Sequence, residues 1–174
     1  MENVSEEIQE RLVPLNPGHA TDIYKYLNHE KISETYPVSL PYSLEDAQSY
    51  VEREISCRKR GTRFSFAIMV KNQFVGICAL YDMSQSMRKA KIYYWIAVEY
   101  WNKGIASKAL EKLIRFAKIE LHIAQLKTGV LERNAASRRV LEKNGFFVES
   151  ILINEDAYHE KFMGEKVMEM KMFL

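Results

Sequence analysis

A chain of 174 residues, 47% hydrophobic and 28% charged, suits one ordinary folded domain with a substantial core and excludes wholesale disorder. Its formal net charge of +2 supplies no strong field for nucleic acid or an anionic membrane, so neither is an expected partner. Two cysteines without CxxC spacing, Cys57 and Cys78, and four scattered histidines offer neither a disulfide framework nor a metal site.

The opening MENVSEEIQE is acidic and lacks the apolar centre of a signal peptide, and no apolar run approaches the length of a bilayer span. A cytoplasmic protein is expected. Ile8–Leu15 reads as a first strand stopped by NPG, and a short helix covers Ala20–Asn28. Ser33–Ser43, with two prolines, reads as irregular. Ser43 followed by Asp46 resembles a capping box opening a helix to about Arg60, with Leu44, Ala47, Tyr50, Val51 and Ile55 at helical spacing. The basic run Arg58–Arg63 that follows reads as cations at a helix C-terminus.

The period then changes. Phe64–Val70 and Phe74–Tyr81 are β-rich runs joined by KNQ, a predicted hairpin. Lys91–Val98 is apolar almost throughout and predicts a strand buried on both faces. Gly104–Ile119 is amphipathic, Ala124–Leu131 is a further strand, and Asn134–Lys143 is a short helix closed by NGF, a glycine stop signal. FFVESILI and KVMEMKMF complete the chain as strands. The predicted order is β-α-α-β-β-β-α-β-α-β-β, a single α/β domain over residues 1–174 with a mixed sheet and no internal repeat.

Two stretches carry chemistry. YWNKGIASKAL (Tyr100–Leu110) turns a strand into a helix whose first turn holds only small side chains. A helix N-terminus leaves N–H groups unpaired and is partly positive, so Gly104, Ala106 and Ser107 would let an anion approach the backbone, while Lys103 adds a charge. The turn matches neither GxxxxGK[ST] nor GxGxxG. The second stretch is ERNAASRRVLEKNGF (Glu132–Phe146), where Asn134 is a natural N-cap and Ser137 a first-turn hydroxyl.

In this order and on this topology, the two stretches resemble the GNAT N-acetyltransferase superfamily, most of all its branch of ribosomal-protein N-terminal and spermidine acetyltransferases. That branch shows GYWLxPxYWGKGYAxEA and then NxxSxxVLEKxGF; this chain has YYWIAVEYWNKGIASKA and NAASRRVLEKNGF. The resemblance implies a largely antiparallel, splayed sheet flanked by helices, in which the strand ending at Val98 parts from Ala124–Leu131. It implies acetyl-CoA with its pantetheine in that gap along Ile96, Ala97 and Val98, and its pyrophosphate on the amides of Asn102, Lys103, Gly104, Ile105, Ala106 and Ser107. Asn134 would bond the pantetheine arm, and Ser137 would stabilise or protonate the departing coenzyme A thiolate.

Three positions depart from the family pattern. Relatives often carry glutamate near the start of the fourth strand (AEIGYW), where this chain has Lys91, and some place an acid tyrosine where it has Leu141. Asn102 also replaces a common glycine. The implied reaction is direct attack of an amine on the thioester, with Glu34, Tyr36, Tyr42 and Lys91 as candidate acceptor contacts. The acceptor is read as the α-amine of a protein or peptide. The alternatives are a polyamine or aminoglycoside, or an idle acyl-CoA-binding module. A monomer or homodimer is expected.

Overall fold

A computed structural model describes residues 10–155 and 160–174. Seven strands within them form one sheet: β1 (Glu10–Pro14), β2 (Phe64–Val70), β3 (Gln73–Ser84), β4 (Lys89–Ile96), β5 (Gln125–Leu131), β6 (Phe147–Ile153) and β7 (Lys166–Phe173). Their order is β1-β2-β3-β4-β5-β7-β6, and only β4 and β5 run parallel. The predicted strand from Ile8 is found from Glu10; Ile8, Gln9 and the acidic opening lie outside the described residues.

Helices α1 (Ala20–Leu27), α2 (Glu30–Ser33) and α3 (Leu44–Lys59) precede β2, while α4 (Ile105–Ile119) and α5 (Ala135–Lys143) flank β5. Alternate strand residues face opposite ways, so the sheet separates two cores. On one side Ile68, Leu80, Ile92 and Leu126 pack against Ile105, Leu110 and Leu113 of α4. On the other, Ala67, Ile77 and Trp95 meet Ile23, Ala47 and Val51 of the earlier helices.

Local rules act where the sequence places them. Ser43 and Asp46 exchange both bonds of a capping box at α3. Lys71 and Asn72, both at positive φ, form the two-residue turn between β2 and β3. Gly145, at φ +90, closes α5 with its N–H on the Glu142 carbonyl and the Phe146 N–H on that of Leu141, a Schellman stop. Gly76 has a different reason: a Cβ there would stand 2.2 Å from the Trp95 carbonyl oxygen.

Four expectations are corrected. A single-turn helix, α2, enters the stretch read as irregular. Leu44 stays 40% exposed, and the α3 position that is buried instead is Glu54. β4 is not buried on both faces, since Lys91 is exposed and Tyr93 and Tyr94 are half-buried beside a cavity. The basic run does more than cap α3, because Arg63 pairs with Glu54 at 2.9 Å and the Arg58 guanidinium lies 4.7 Å from the Phe66 ring centre.

The sheet opens at its centre. β4 and β5 pair only at Lys89, Ala90 and Lys91 against Gln125, Leu126 and Lys127. Beyond that register β4 follows β3 while β5 follows β7, and the strands part.

Candidate active site

The splay between β4 and β5 opens into a cavity of about 1350 Å³. It is walled by β4, the turn into α4, the first turns of α5, the middle of β5 and the segment after α2. Gathered on this wall are Ile96, Asn102, Lys103, Gly104, Ile105, Ala106, Ser107, Asn134 and Ser137, together with Glu34, Tyr36, Tyr42 and Lys91. Ala97 and Val98 are not on it. Ala97 is fully buried with its N–H on the Val75 carbonyl, and Val98 packs into the core against α1 and α3. Of the Ile96–Val98 segment, the wall therefore receives Ile96, whose carbonyl accepts the Trp101 indole N–H at 2.7 Å.

The turn into α4 suits an anion. Asn102 and Gly104 both hold left-handed φ, +60 and +74, which glycine adopts freely and asparagine best among the rest. Asparagine in place of the motif's glycine is thus tolerated. A Cβ at Gly104 would meet nothing within 4 Å, so the backbone faces open space. No side chain caps α4 and no acidic residue stands in its first turn, which leaves the partial positive end of the helix facing the cavity. Lys103 turns away, donating to the Glu99 carbonyl at 2.9 Å, and the Ser107 hydroxyl accepts from Asn144 at 3.2 Å. The backbone, more than these side chains, makes the cradle. Turn and cleft together suit acetyl-CoA in charge and shape, with an uncapped, open helix end beside a long cleft.

On the facing wall, Asn134 caps α5 by accepting the Ser137 N–H at 3.1 Å. The Ser137 hydroxyl stands 2.8 Å from that of Tyr94, reaching across from β4. Sequence reasoning missed Tyr94, although its alternation with Tyr93 already assigned the two rings to opposite faces. Leu141 is fully buried and takes no part in the cavity wall, so the hydroxyl partner near the splay comes from β4 and not from α5. Arg139 and Lys143 were also missed; their i, i+4 spacing with each other puts both on the cavity side of α5.

The other end is aromatic. Tyr36, Tyr42, Tyr50, Tyr81, Tyr93 and Trp95 line it, with Tyr93 edge-on to Tyr81 at 5.6 Å. Burial raises the phenol pKa of Tyr42, Tyr50 and Tyr81, and pushes that of Tyr93 up to about 12. Lys91 lies here too, its Nζ 2.7 Å from an Asp82 carboxylate oxygen, and that hydrogen bond raises its pKa. Asp82 reaches it from a bulge in β3, where its φ is +47. The Glu34 backbone carbonyl accepts from Arg133 at 2.7 Å, tying the segment after α2 to the loop before α5. Among the described residues no group of three His, Cys, Asp or Glu is placed to hold a metal, and no helix is long and apolar enough to cross a membrane.

Comparison with known proteins agrees with this geometry. The acetyltransferase (GNAT) domain family matches residues 11–147. The ribosomal-protein-serine acetyltransferase of Escherichia coli (strain K12) is 25% identical, with 95% of this chain and 96% of that protein covered. The fold is similar to a ribosomal L7/L12 alpha-N-protein acetyltransferase in complex with coenzyme A, at TM-score 0.84 and 19% identity over 95% of this chain and 94% of that one. It is also similar to the spermidine N-acetyltransferase of Vibrio cholerae in complex with CoA and spermine, at TM-score 0.82 and 19% identity over 95% of each chain. A long cleft, an uncapped helix end open to an anion and a family match across most of the chain lead to one conclusion: this protein belongs to the GNAT family and is an acetyl-CoA-dependent acetyltransferase.

Proposed function

We propose that the chain is one acetyltransferase domain over residues 1–174, acting in the cytoplasm on the α-amine of a protein or peptide. The observation that supports this reading is the charge of the cavity wall. Eight lysines and arginines line it against three carboxylates, Glu34, Asp46 and Glu169. Asp46 is occupied in the α3 capping box, and Glu169 accepts from Ser150 at 2.8 Å. Such a wall attracts phosphates and discourages a polycation. An α-amine, neutral in an appreciable fraction near pH 7, suits it better.

Acetyl-CoA supplies the activated acetyl group. The amides of Asn102–Ser107 hold its phosphates, and Asn134 holds the pantetheine arm. Ser137, with Tyr94 behind it, stands ready to stabilise the thiolate. The test is turnover of acetyl-CoA with a peptide N-terminus, spermidine and an aminoglycoside in parallel. The peptide is expected to be the best acceptor, and turnover with none of them would refute the reading.

Asn134 and Ser137 are expected to separate by measurement. Asn134→Ala removes an N-cap worth about 1 kcal/mol and weakens acetyl-CoA binding. Ser137→Ala leaves binding near wild type and lowers kcat, because a developing thiolate exists only late in the reaction. Thermal melts with and without acetyl-CoA, read beside kcat, check both. Equal effects of the two changes on binding alone would leave Ser137 a structural residue.

A further inference from the structure

The acceptor end of the cavity is walled by rings. The Tyr36 ring centre stands 6.3 Å from that of Tyr93 and 6.4 Å from that of Trp95, and Tyr81 lies edge-on to Tyr93. Tyr36, Tyr81 and Tyr93 are half-buried on the cavity wall, so each keeps part of its ring uncovered. The Tyr50 and Tyr93 hydroxyls lie 2.7 Å apart and pair with each other. An apolar group laid on such rings removes apolar area from water on both partners.

A cation is a poor occupant for this wall. The Arg53 guanidinium already lies 5.3 Å from the Tyr50 ring centre, and that of Arg63 lies 5.5 Å from the Tyr81 ring centre. The two share one carboxylate, Glu54, at 3.5 and 2.9 Å, which leaves a net positive charge beside the rings. A further cation would be repelled. The wall is also fixed in advance. The Glu34 carbonyl accepts from Arg133 at 2.7 Å and the Val38 carbonyl from Lys161 at 2.9 Å. Asn28 bonds both the N–H and the carbonyl of Tyr42, at 2.9 and 2.6 Å. A wall held before binding loses little freedom when a side chain fills it.

Placement decides which side chain that is. Tyr94 reaches Ser137 from one face of β4, while its neighbours Tyr93 and Trp95 belong to the core on the other. An α-amine brought to the splay therefore leaves its own first side chain among the rings. We propose that this end of the cavity is a specificity pocket for a large apolar first residue of the acceptor, of phenylalanine, leucine or methionine size. The inference rests on the acceptor reading above and deepens it by naming which N-termini are taken. Tyr36, Tyr81 and Tyr93 are its specificity-determining residues.

The test compares kcat/KM for peptides that differ only in their first residue, at about pH 9, where the α-amines are largely neutral. Peptides opening with phenylalanine, leucine or methionine are expected to exceed one opening with serine by about fivefold to a hundredfold, as burial of one such side chain implies. Peptides opening with lysine or aspartate are expected at or below the serine level. Tyr36→Ser removes one ring and is expected to narrow the phenylalanine-to-serine ratio at least about threefold, with the KM for acetyl-CoA within about twofold of wild type. A wild-type ratio below about fivefold, or a preference for lysine or aspartate, would overturn the pocket and leave the acceptor reading standing. A smaller narrowing in a Tyr36→Ser protein that still binds acetyl-CoA would also overturn it. Acetylation of no peptide in the panel would overturn both the pocket and the acceptor reading.

Discussion

Gly104→Glu is expected to abolish stabilisation of the protein by acetyl-CoA. At about 100 times its dissociation constant, a ligand that binds only the folded state adds roughly 2.7 kcal/mol, or about 5–10 °C in Tm for a domain of this size. Gly104 sits at the uncapped end of α4 with open space where a Cβ would be, so a longer side chain is not excluded by contact. A glutamate there would put its carboxylate where the phosphates must lie and satisfy the helix end itself. The same change also strains the backbone, because φ is +74 and a side chain in the left-handed region costs about 1–2 kcal/mol. Gly104→Ala carries the strain without the charge. Both variants are expected to melt lower without ligand, and only the alanine variant is expected to keep a ligand-induced rise. A full rise in Gly104→Glu would refute phosphate binding at this turn.

The parts of the site legible in the sequence are those fixed by backbone rules. The uncapped turn at Gly104, the Asn134 cap and the Gly145 stop each follow from what one or two residues permit, and each stands where its residues predict. What stayed hidden depends on partners distant in the chain. Glu54 reads as one more charge on a helix, because nothing local shows that Arg63, just before β2, and Ser65, on it, fold against it. Tyr94 is one apolar letter among several in Lys91–Val98 until α5 brings Ser137 within 2.8 Å. Ala97 and Val98 show the opposite limit. The strand pattern of Lys91–Val98 puts both at the cleft, but the chain leaves β4 after Ile96 for a 3-10 turn at Val98–Tyr100, so Ala97 is buried with its N–H on the Val75 carbonyl and Val98 packs against the core. Lys91 stands at the cavity as the strand register implies, while its ion pair depends on the Asp82 bulge, a feature without a sequence signature.

The pH dependence of kcat/KM is expected to follow the acceptor amine and not the protein. Between pH 6 and 9 the groups facing the acceptor end with resolved shifts keep one charge state. The hydrogen bond to Asp82 raises the pKa of Lys91, so it stays cationic, and burial raises Tyr42, Tyr50, Tyr81 and Tyr93, so they stay neutral. An α-amine with a pKa near 8 costs about 1.4 kcal/mol to deprotonate at pH 7, and a lysine-like amine near 10.4 about 4.6. For a peptide N-terminus kcat/KM should therefore climb about tenfold per pH unit from pH 6 and flatten near 8, while for spermidine it should still be climbing at 9. At pH 7 this difference alone favours the peptide by roughly 200-fold. Lys91→Glu reverses a charge beside Asp82 and restores the relatives' carboxylate. With each charge worth about 1 kcal/mol at 4 Å in water, the reversal should narrow the peptide-to-spermidine ratio by about 30-fold, leaving both pH profiles in place. Efficient spermidine turnover by the wild-type protein near pH 7, unchanged by Lys91→Glu, would show that the wall does not select against polycations.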